Sequence, residues 1–344
     1  MPSDPFKKFQ HIPSVDDILE TAFNRANKRA GGISDKKGEI HRARRKEVLR
    51  IEIAYDYVME YLQSIVKSVP DLTQLPPFYV ELAQILVDND LLKQKLGRIS
   101  GVIKVLERLK HQHIKTILTL QKEFDIGEKR KQAFGRMKSV IDKLSSDFDY
   151  LRKSRQTLKG LPVINQYIPA VVIAGYPNVG KSSCVNNLCG SKIEVAPYPF
   201  TTKEIIIWFY KHDREQIQFI DTPGVLDRPM AKRNRIELQA LTAMKHLANL
   251  IVFLVDPTLN CGYPLDVQLD LLKEIQVTFL AIPRLIVITK KDLATDEEFD
   301  QATKQVQALG EQTIFAYSAI TRENEAPLMA SIKEYLKNFR PPAT

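Results

Sequence analysis

Apolar residues in the first 160 positions recur every three or four residues, which is the spacing of amphipathic helices. The pattern predicts four long helices and a short one, over about 15–30, 36–68, a short stretch after Pro76-Pro77, 89–122 and 128–158. The last helix carries an apolar stripe formed by Phe134, Met137, Ile141, Leu144, Phe148 and Leu151. Such a stripe packs against an antiparallel neighbour, so we expect an all-α helical bundle.

Beyond residue 165 short apolar runs alternate with amphipathic stretches. The predicted elements are a strand over 170–174, a helix over 181–189, a switch segment to 203, strands over 204–210 and 215–221, and a final helix over about 325–338. This alternation predicts an α/β fold with a doubly wound, mostly parallel sheet. We place the boundary near Gly160-Leu161-Pro162 and expect two domains, a helical one over 1–165 and an α/β one over 166–344.

Charge is divided unevenly between these two parts. Residues 1–165 hold 31 Lys and Arg against 21 Asp and Glu, whereas residues 166–344 hold 19 against 20. The basic residues cluster in two predicted helices, as Arg42, Arg44, Arg45 and Lys46 in one and Arg152, Arg155 and Lys159 in the other. Either cluster fits an ordinary solvated face or a polyanion site. The net positive charge of the helical part favours a polyanion.

A turn bounded by glycines follows the predicted strand 170–174. Its sequence, Gly175-Tyr176-Pro177-Asn178-Val179-Gly180-Lys181-Ser182, matches the pattern GxxxxGK[ST]. The glycines let backbone N–H groups approach phosphate oxygens, the lysine reaches the outer phosphates, and the serine hydroxyl binds Mg²⁺. The motif therefore predicts a site for a nucleoside triphosphate with Mg²⁺.

A second motif, Asp221-Thr222-Pro223-Gly224, follows an alternating strand. An Asp at the end of a strand holds Mg²⁺ through water, and a glycine three residues later offers its N–H to a γ-phosphate. We therefore expect this loop to sense the γ-phosphate.

Two further loops point to the base. One apolar strand runs into Thr289-Lys290-Lys291-Asp292, and another runs into Ser318-Ala319. A carboxylate such as that of Asp292 accepts paired hydrogen bonds from the N–H groups of guanine, which adenine lacks. All four motifs follow strands, at the edge where open α/β sheets bind ligands. We therefore expect the nucleotide to be GTP or GDP.

Three longer stretches resemble a known family. They are GYPNVGKSS, then APYPFTTK at 196–203, and DTPGVLDRP at 221–229 followed by RNRIELQA at 233–240. They resemble the nucleolar GTP-binding proteins, called Nog, of the Obg superfamily, in detail over 170–320 and more loosely over the helical part. The resemblance implies a GTPase that acts in large ribosomal subunit assembly and binds rRNA through its basic helices. It also implies a short form that lacks the C-terminal extension of long family members.

Alignment with Obg-type switches favours Thr202 over Thr201 as the residue that joins Mg²⁺ and signals the γ-phosphate. Val225 stands where small GTPases carry the glutamine that orients the attacking water, so slow intrinsic hydrolysis is expected. Asn178 stands where related potassium-stimulated GTPases hold K⁺. It either binds that ion or rigidifies the loop, and both roles stay open. Thr289 replaces the usual Asn of NKxD, which is expected to reduce guanine affinity.

The expected site has three overlapping sets of residues. The catalytic set is Lys181, Thr202 and Gly224. The nucleotide-binding set is Gly175, Asn178, Val179, Gly180, Lys181, Ser182, Ser183, Thr202, Asp221, Gly224, Thr289, Lys290, Asp292, Ser318 and Ala319. The metal ligands are Ser182, Thr202 and Asp221.

The remaining expectations concern the compartment and the competing functions. Three cysteines in odd number and without metal spacing argue against a disulfide framework. The longest apolar run, 250–255, is far too short to span a membrane, and the N-terminus lacks a signal-peptide core. We expect a cytoplasmic protein that is monomeric off the ribosome. The alternatives are a nucleotide-gated RNA-binding scaffold with negligible turnover and a targeting GTPase of the signal-recognition type.

Overall fold

A computed structural model describes residues 4–31, 38–189, 193–197, 204–212, 215–221, 226, 241 and 243–341. The chain divides into two compact units. One combines Pro5–Asp71 with Val87–Lys159, and the other combines Met1–Asp4, Leu72–Leu86 and Gly160–Thr344. The chain thus passes between the units more than once, and the predicted division at residue 165 stays a prediction.

The described residues contain ten α-helices. They are α1 (Val15–Ala30), α2 (Glu39–Ser68), α3 (Pro77–Leu86), α4 (Asn89–Thr119), α5 (Glu123–Ile141), α6 (Ser145–Lys159), α7 (Lys181–Cys189), α8 (Leu265–Thr278), α9 (Asp296–Ala308) and α10 (Glu325–Leu336). Among the described helices, none is both long enough and apolar enough to cross a membrane.

The unit that contains α1, α2, α4, α5 and α6 is the predicted helical bundle. The capping box of Ser14 and Asp17 starts α1 at the predicted residue, because each side chain accepts from the other's backbone N–H. The predicted stripe is core: all its members are buried except Phe134, which is half-buried and stacks on Phe23 with ring centroids 4.6 Å apart. A buried carboxylate, Asp147, joins α6 to α4 through Lys95 Nζ at 2.8 Å and Arg98 at 3.1 Å.

The single helix predicted over 128–158 is wrong. The structure has two helices there, separated by a 3₁₀ turn over Asp142–Leu144. Both the backbone N–H and the hydroxyl of Ser145 donate to the Asp142 carbonyl. The backbone bond spans three residues instead of four, which is the pattern of a 3₁₀ turn and interrupts the α-helical pattern here.

The second unit is built on a seven-stranded sheet. Its strands are β1 (Ala170–Ala174), β2 (Ile193–Pro197), β3 (Glu204–His212), β4 (Glu215–Asp221), β5 (Leu250–Val255), β6 (Arg284–Ile288) and β7 (Ile314–Ala316). The strand order is β2-β3-β4-β1-β5-β6-β7. Strand β3 pairs antiparallel with β2 and with β4, and the remaining pairs, from β4 through β1, β5 and β6 to β7, are parallel. The mostly parallel sheet is confirmed. Strand β2 was not predicted, because it lies in the segment assigned to a switch.

The order of strands places the site. The chain runs from β1 to the β4 side of the sheet and then returns to β5 on the other side of β1. Ligands bind outside the carboxyl ends of parallel strands where the order reverses in this way. The C-terminal ends of β1 and β4 are adjacent, since Ile173 pairs with Asp221.

Helix α3 packs in the α/β unit, although it lies in the predicted helical domain. The Tyr79 hydroxyl donates to the Pro162 carbonyl and accepts from the Ile164 N–H, both at 2.9 Å. Burial raises the pKa of Tyr79 to about 12. Glu81 of the same helix lies 2.7 Å from His246 Nε2.

Candidate nucleotide-binding site

The turn between β1 and α7 has a backbone that requires glycine at its first position. Gly175 has φ +134°, and a Cβ there would lie 2.5 Å from the Leu254 carbonyl oxygen. Asn178 (φ 62°) and Gly180 (φ 96°) also lie in the left-handed region. Asparagine is among the few non-glycine residues that tolerate this region. The side chain of Asn178 is exposed.

Lys181 is buried at the first turn of α7. Its ammonium donates to the carbonyls of Gly175 and Tyr176, both at 2.8 Å. These bonds fold the side chain back over the turn that precedes it. The positive charge therefore lies inside the loop in which the sequence predicts the phosphates.

Two of the three predicted metal ligands meet at the ends of neighbouring elements. The Ser182 hydroxyl, on the first turn of α7, donates to Asp221 Oδ2 at 2.8 Å. Asp221 is the last residue of β4 and is buried. A hydroxyl and a carboxylate supply the hard oxygen ligands that Mg²⁺ prefers, so this donor set fits the ion. The third ligand, Thr202, lies outside the described residues, as do Gly224 and Val225.

Thr289 connects the guanine motif to the phosphate loop. It is buried, and its hydroxyl lies 2.8 Å from the Val179 carbonyl and 3.1 Å from the Val255 carbonyl. Its N–H also donates to the Val255 carbonyl at 2.8 Å. The short side chain thus reaches the phosphate loop. Thr289 holds the ends of β5 and β6 against that loop.

Lys290 is held by a carboxylate that the sequence analysis missed. Its Nζ lies 2.6 Å from Asp256 Oδ2, and its backbone has φ 55°. Asp256 also accepts from the N–H groups of Thr258 and Cys261. Burial raises the pKa of Asp256, but the hydrogen bonds from Lys290 and Thr258 outweigh burial and hold the pKa below its usual range. The sequence signal was an Asp directly after an apolar strand, as at Asp221.

The two base-side loops are joined to each other. Asp292 is exposed beside Lys291, whose N–H donates to the Tyr317 carbonyl at 3.2 Å. Ser318 is buried, and its hydroxyl accepts from the N–H groups two and three residues later, at 3.3 and 3.1 Å. The carbonyl of Ala319 accepts from the Asn187 amide at 2.8 Å. The structure therefore brings the predicted base-side residues into one neighbourhood.

The loop between β5 and α8 also braces the site. Tyr263 packs against Tyr176 of the phosphate loop, with ring centroids 4.5 Å apart. Gln268 holds the two ends of this loop, because its amide donates to the carbonyls of Asp256 and Tyr263, both at 2.9 Å. This loop therefore contacts the phosphate side through Tyr176 and the base side through Lys290.

Several of the basic residues predicted to bind a polyanion also hold the helical unit together. Arg44 Nε donates to the Leu120 carbonyl at 2.7 Å, Arg152 donates to the Pro13 carbonyl at 3.0 Å, and Arg155 Nε donates to the Phe9 carbonyl at 2.9 Å. These three side chains have structural partners. Three other members of the clusters are exposed to solvent: Arg42, Arg45 and Lys159.

Comparison with known proteins agrees with the geometry. The model of the NOG1 N-terminal helical domain matches residues 6–165, and the model of the 50S ribosome-binding GTPase matches residues 170–290. The chain belongs to the NOG1 family. It is a P-loop GTP-binding protein, and the predicted family and fold class are confirmed.

The relatives differ in length. An uncharacterized protein of Methanocaldococcus jannaschii is 36% identical, over 86% of this chain and 83% of its own length. Nucleolar GTP-binding protein 1 of Drosophila melanogaster is 30% identical over 88% of this chain, and that of Saccharomyces cerevisiae is 29% identical over 87%. The chain spans only 46% of the length of either nucleolar relative.

Solved structures align with part of the chain. A crystal structure of a nucleolar GTP-binding protein 1 from Plasmodium falciparum is 29% identical. It covers 52% of this chain and 91% of its own, with a TM-score of 0.45.

Proposed function

We propose that this protein hydrolyses GTP slowly and acts as a nucleotide-controlled switch in assembly of the large ribosomal subunit. One observation carries the proposal: the Ser182 hydroxyl bonds Asp221 Oδ2 at 2.8 Å beside the buried Lys181, at the switch point of a parallel sheet. A hydroxyl and a carboxylate beside a cation are the groups that a polyphosphate with Mg²⁺ requires, which supports the proposal. The names of the relatives support the ribosomal role.

Mg²⁺ is the proposed cofactor, held by Ser182 and Asp221 together with Thr202. When bound, the ion neutralises charge on the β- and γ-phosphates. Gly224 and Thr202 would contact the γ-phosphate, and ordering of their loops would report its presence.

K⁺ is proposed as a second cation, held through the exposed side chain of Asn178. The left-handed backbone of Asn178 equally supports its role in shaping the loop. Rates of phosphate release in potassium and sodium at matched ionic strength separate these roles. Stimulation by potassium that Asn178→Ala abolishes supports the ion site, whereas equal rates leave only the loop role.

The proposed partner is rRNA of the large subunit or its precursor, bound through the basic helical domain over 1–165. The exposed Arg42, Arg45 and Lys159 are the members of the clusters best placed to meet phosphates. We propose that the protein is cytoplasmic and monomeric off the ribosome.

A scaffold with negligible turnover is the second candidate function. Val225 favours it, because valine neither donates nor accepts a hydrogen bond and therefore does not orient water. Under this alternative GTP would gate RNA binding without being hydrolysed. Multiple turnover in the presence of the partner separates the two functions.

Cosedimentation with purified large subunits at several salt concentrations tests the RNA-binding part. We expect binding to weaken as the salt concentration rises. In the triple variant Arg42→Ala, Arg45→Ala, Lys159→Ala, the slope of log affinity against log salt concentration is expected to become shallower by about 0.9 for each phosphate contact that is lost on duplex RNA. The matched control replaces three exposed lysines of the α/β unit, Lys273, Lys304 and Lys337, by alanine. Equal slopes for the two triple variants would refute the proposal that the helical domain binds RNA. Crosslinking of the bound particle would identify the rRNA segment.

A further inference from the structure

Asn187 lies near the end of α7, the helix that begins with Lys181 and Ser182. Its side-chain amide donates to the Ala319 carbonyl at 2.8 Å and to the Tyr317 hydroxyl at 3.0 Å. Both partners lie more than 120 residues away, in the loop that follows β7. One half-buried side chain thus connects the phosphate-side helix to the base-side loop.

The partners of Asn187 are themselves fixed. Tyr317 is buried, and its N–H donates to the Ile288 carbonyl at 2.9 Å. Burial raises the pKa of Tyr317 to about 12, so the hydroxyl stays protonated. The Tyr317 carbonyl accepts from Lys291, next to Asp292. The amide of Asn187 therefore bonds a loop that is tied to the predicted guanine carboxylate.

We infer that Asn187 is a positioning residue for guanine recognition. By binding the Ala319 carbonyl it holds the backbone of this residue, so that the Ala319 N–H, in the preceding peptide group, meets the carbonyl oxygen of the base. This inference rests on the proposed base site. Guanine presents an acceptor at that position, whereas adenine presents an amino donor. A backbone N–H held at a fixed position distinguishes the two bases only while its loop is immobile.

Two nucleotides separate positioning from general stabilisation. GTP carries both the 2-amino group, which Asp292 is proposed to bind, and the carbonyl oxygen. The triphosphate of 2-aminopurine riboside keeps the amino group but lacks the carbonyl oxygen and the neighbouring ring N–H, so each nucleotide is compared between a variant and the wild type. The fluorescence of 2-aminopurine also gives a direct binding signal. Loss of positioning at Ala319 weakens only GTP, whereas loss of folding or of phosphate contacts weakens both nucleotides.

The experiment measures both dissociation constants for Asn187→Ala and Asn187→Asp. The second variant keeps the size of the side chain but has no amide donor, and it decides the question if the first does not fold. We expect the Kd for GTP to rise about five- to tenfold, as for loss of one hydrogen bond. The Kd for the 2-aminopurine nucleotide is expected to stay within about twofold. The control is Asn186→Ala, an exposed neighbour on the same helix, which is expected to bind both nucleotides as the wild type does.

An unchanged Kd for GTP in both variants would overturn the inference, and so would an equal rise for the two nucleotides. A wild type that binds ATP as tightly as GTP is a different failure. That result would refute the proposed base site itself.

Discussion

The ammonium of Lys290 lies 2.6 Å from Asp256 Oδ2, and this ion pair joins the guanine motif to the loop between β5 and α8. The carboxylate is buried, and the lysine side chain is about one-fifth exposed. Removal of one member of such a pair leaves the other charge without its partner, which costs more than the pair itself contributes. Asp256 therefore fixes the course of the side chain of Lys290, a member of the predicted nucleotide-binding set.

Replacement of Asp256 by Asn tests this pair. The amide keeps the size and removes the charge, so Lys290 loses its anchor, and we expect guanine nucleotide affinity to fall about tenfold. Titration with GDP measures the change. Asp300→Asn, in an exposed position of α9, is the matched control and is expected to bind as the wild type does. An Asp256→Asn variant with wild-type affinity would show that the ion pair does not orient the motif.

Asp292→Asn tests the assignment of the base. The substitution exchanges an acceptor for a donor, which fits xanthine better than guanine, so preference is expected to move from GTP toward xanthosine triphosphate. The side chain is exposed, and the fold is expected to be unaffected. Competition binding with the two nucleotides measures the preference. If the variant keeps the wild-type order of affinities, Asp292 does not contact the base.

Gly175→Ala tests the close approach of the phosphate loop to β5. The alanine Cβ would lie 2.5 Å from the Leu254 carbonyl oxygen, at a φ of +134°. We therefore expect the free energy of unfolding to fall by at least about 2 kcal/mol and nucleotide binding to be lost. A Cβ at Gly180 would meet open space. Gly180→Ala is therefore expected to lower the free energy of unfolding by only about 1–2 kcal/mol, which is the cost of the left-handed backbone.

Thermal unfolding measures both substitutions. The matched control is Gly135→Ala, on an exposed face of α5, which is expected to stabilise the protein by about 0.5–1 kcal/mol. A Gly175→Ala variant no less stable than Gly180→Ala would contradict the close contact.

His113 is expected to make the stability of the helical unit depend on pH. It is buried in α4, and within the described residues neither ring nitrogen has a hydrogen-bond partner. Burial lowers the pKa of His113, and Lys129 and Arg136 lower it further. The unfolded chain therefore binds the proton more readily. The free energy of unfolding is expected to be highest above pH 6.5 and to fall as pH drops from 6.5 toward the lower folded-state pKa.

Urea unfolding from pH 8 to pH 5, followed by circular dichroism, measures the slope of the free energy of unfolding against pH. His113→Leu is expected to reduce it, because leucine fills a similar volume and does not titrate. His111→Leu, on the exposed side of the same helix, is expected to keep it. Identical pH profiles for the wild type and His113→Leu would exclude His113 as the source.

Local signals predicted much of this molecule. The bounds of α1 and β1 follow from short segments whose caps and apolar runs lie within a few residues of one another. The GxxxxGK[ST] pattern is itself such a segment. The Ser182–Asp221 contact was also predictable, because both residues belong to motifs with a shared ligand.

Contacts between distant segments were not predictable in this way. The bonds from Asn187 to Ala319 and from Lys290 to Asp256 depend on the order of β1, β5, β6 and β7 in the sheet, which no single segment encodes. The break at Asp142–Leu144 was missed because the apolar stripe continues through it.

Phosphate release from GTP, with and without large ribosomal subunits, tests the central claim most directly. The protein alone is expected to turn over on the order of 10⁻⁴ to 10⁻² s⁻¹, and subunits are expected to raise the rate over many turnovers. ATP and the Lys181→Ala variant are expected to give no comparable release. Absence of turnover even with subunits would contradict the proposed GTPase switch and support the scaffold, and equal hydrolysis of ATP would contradict the guanine site.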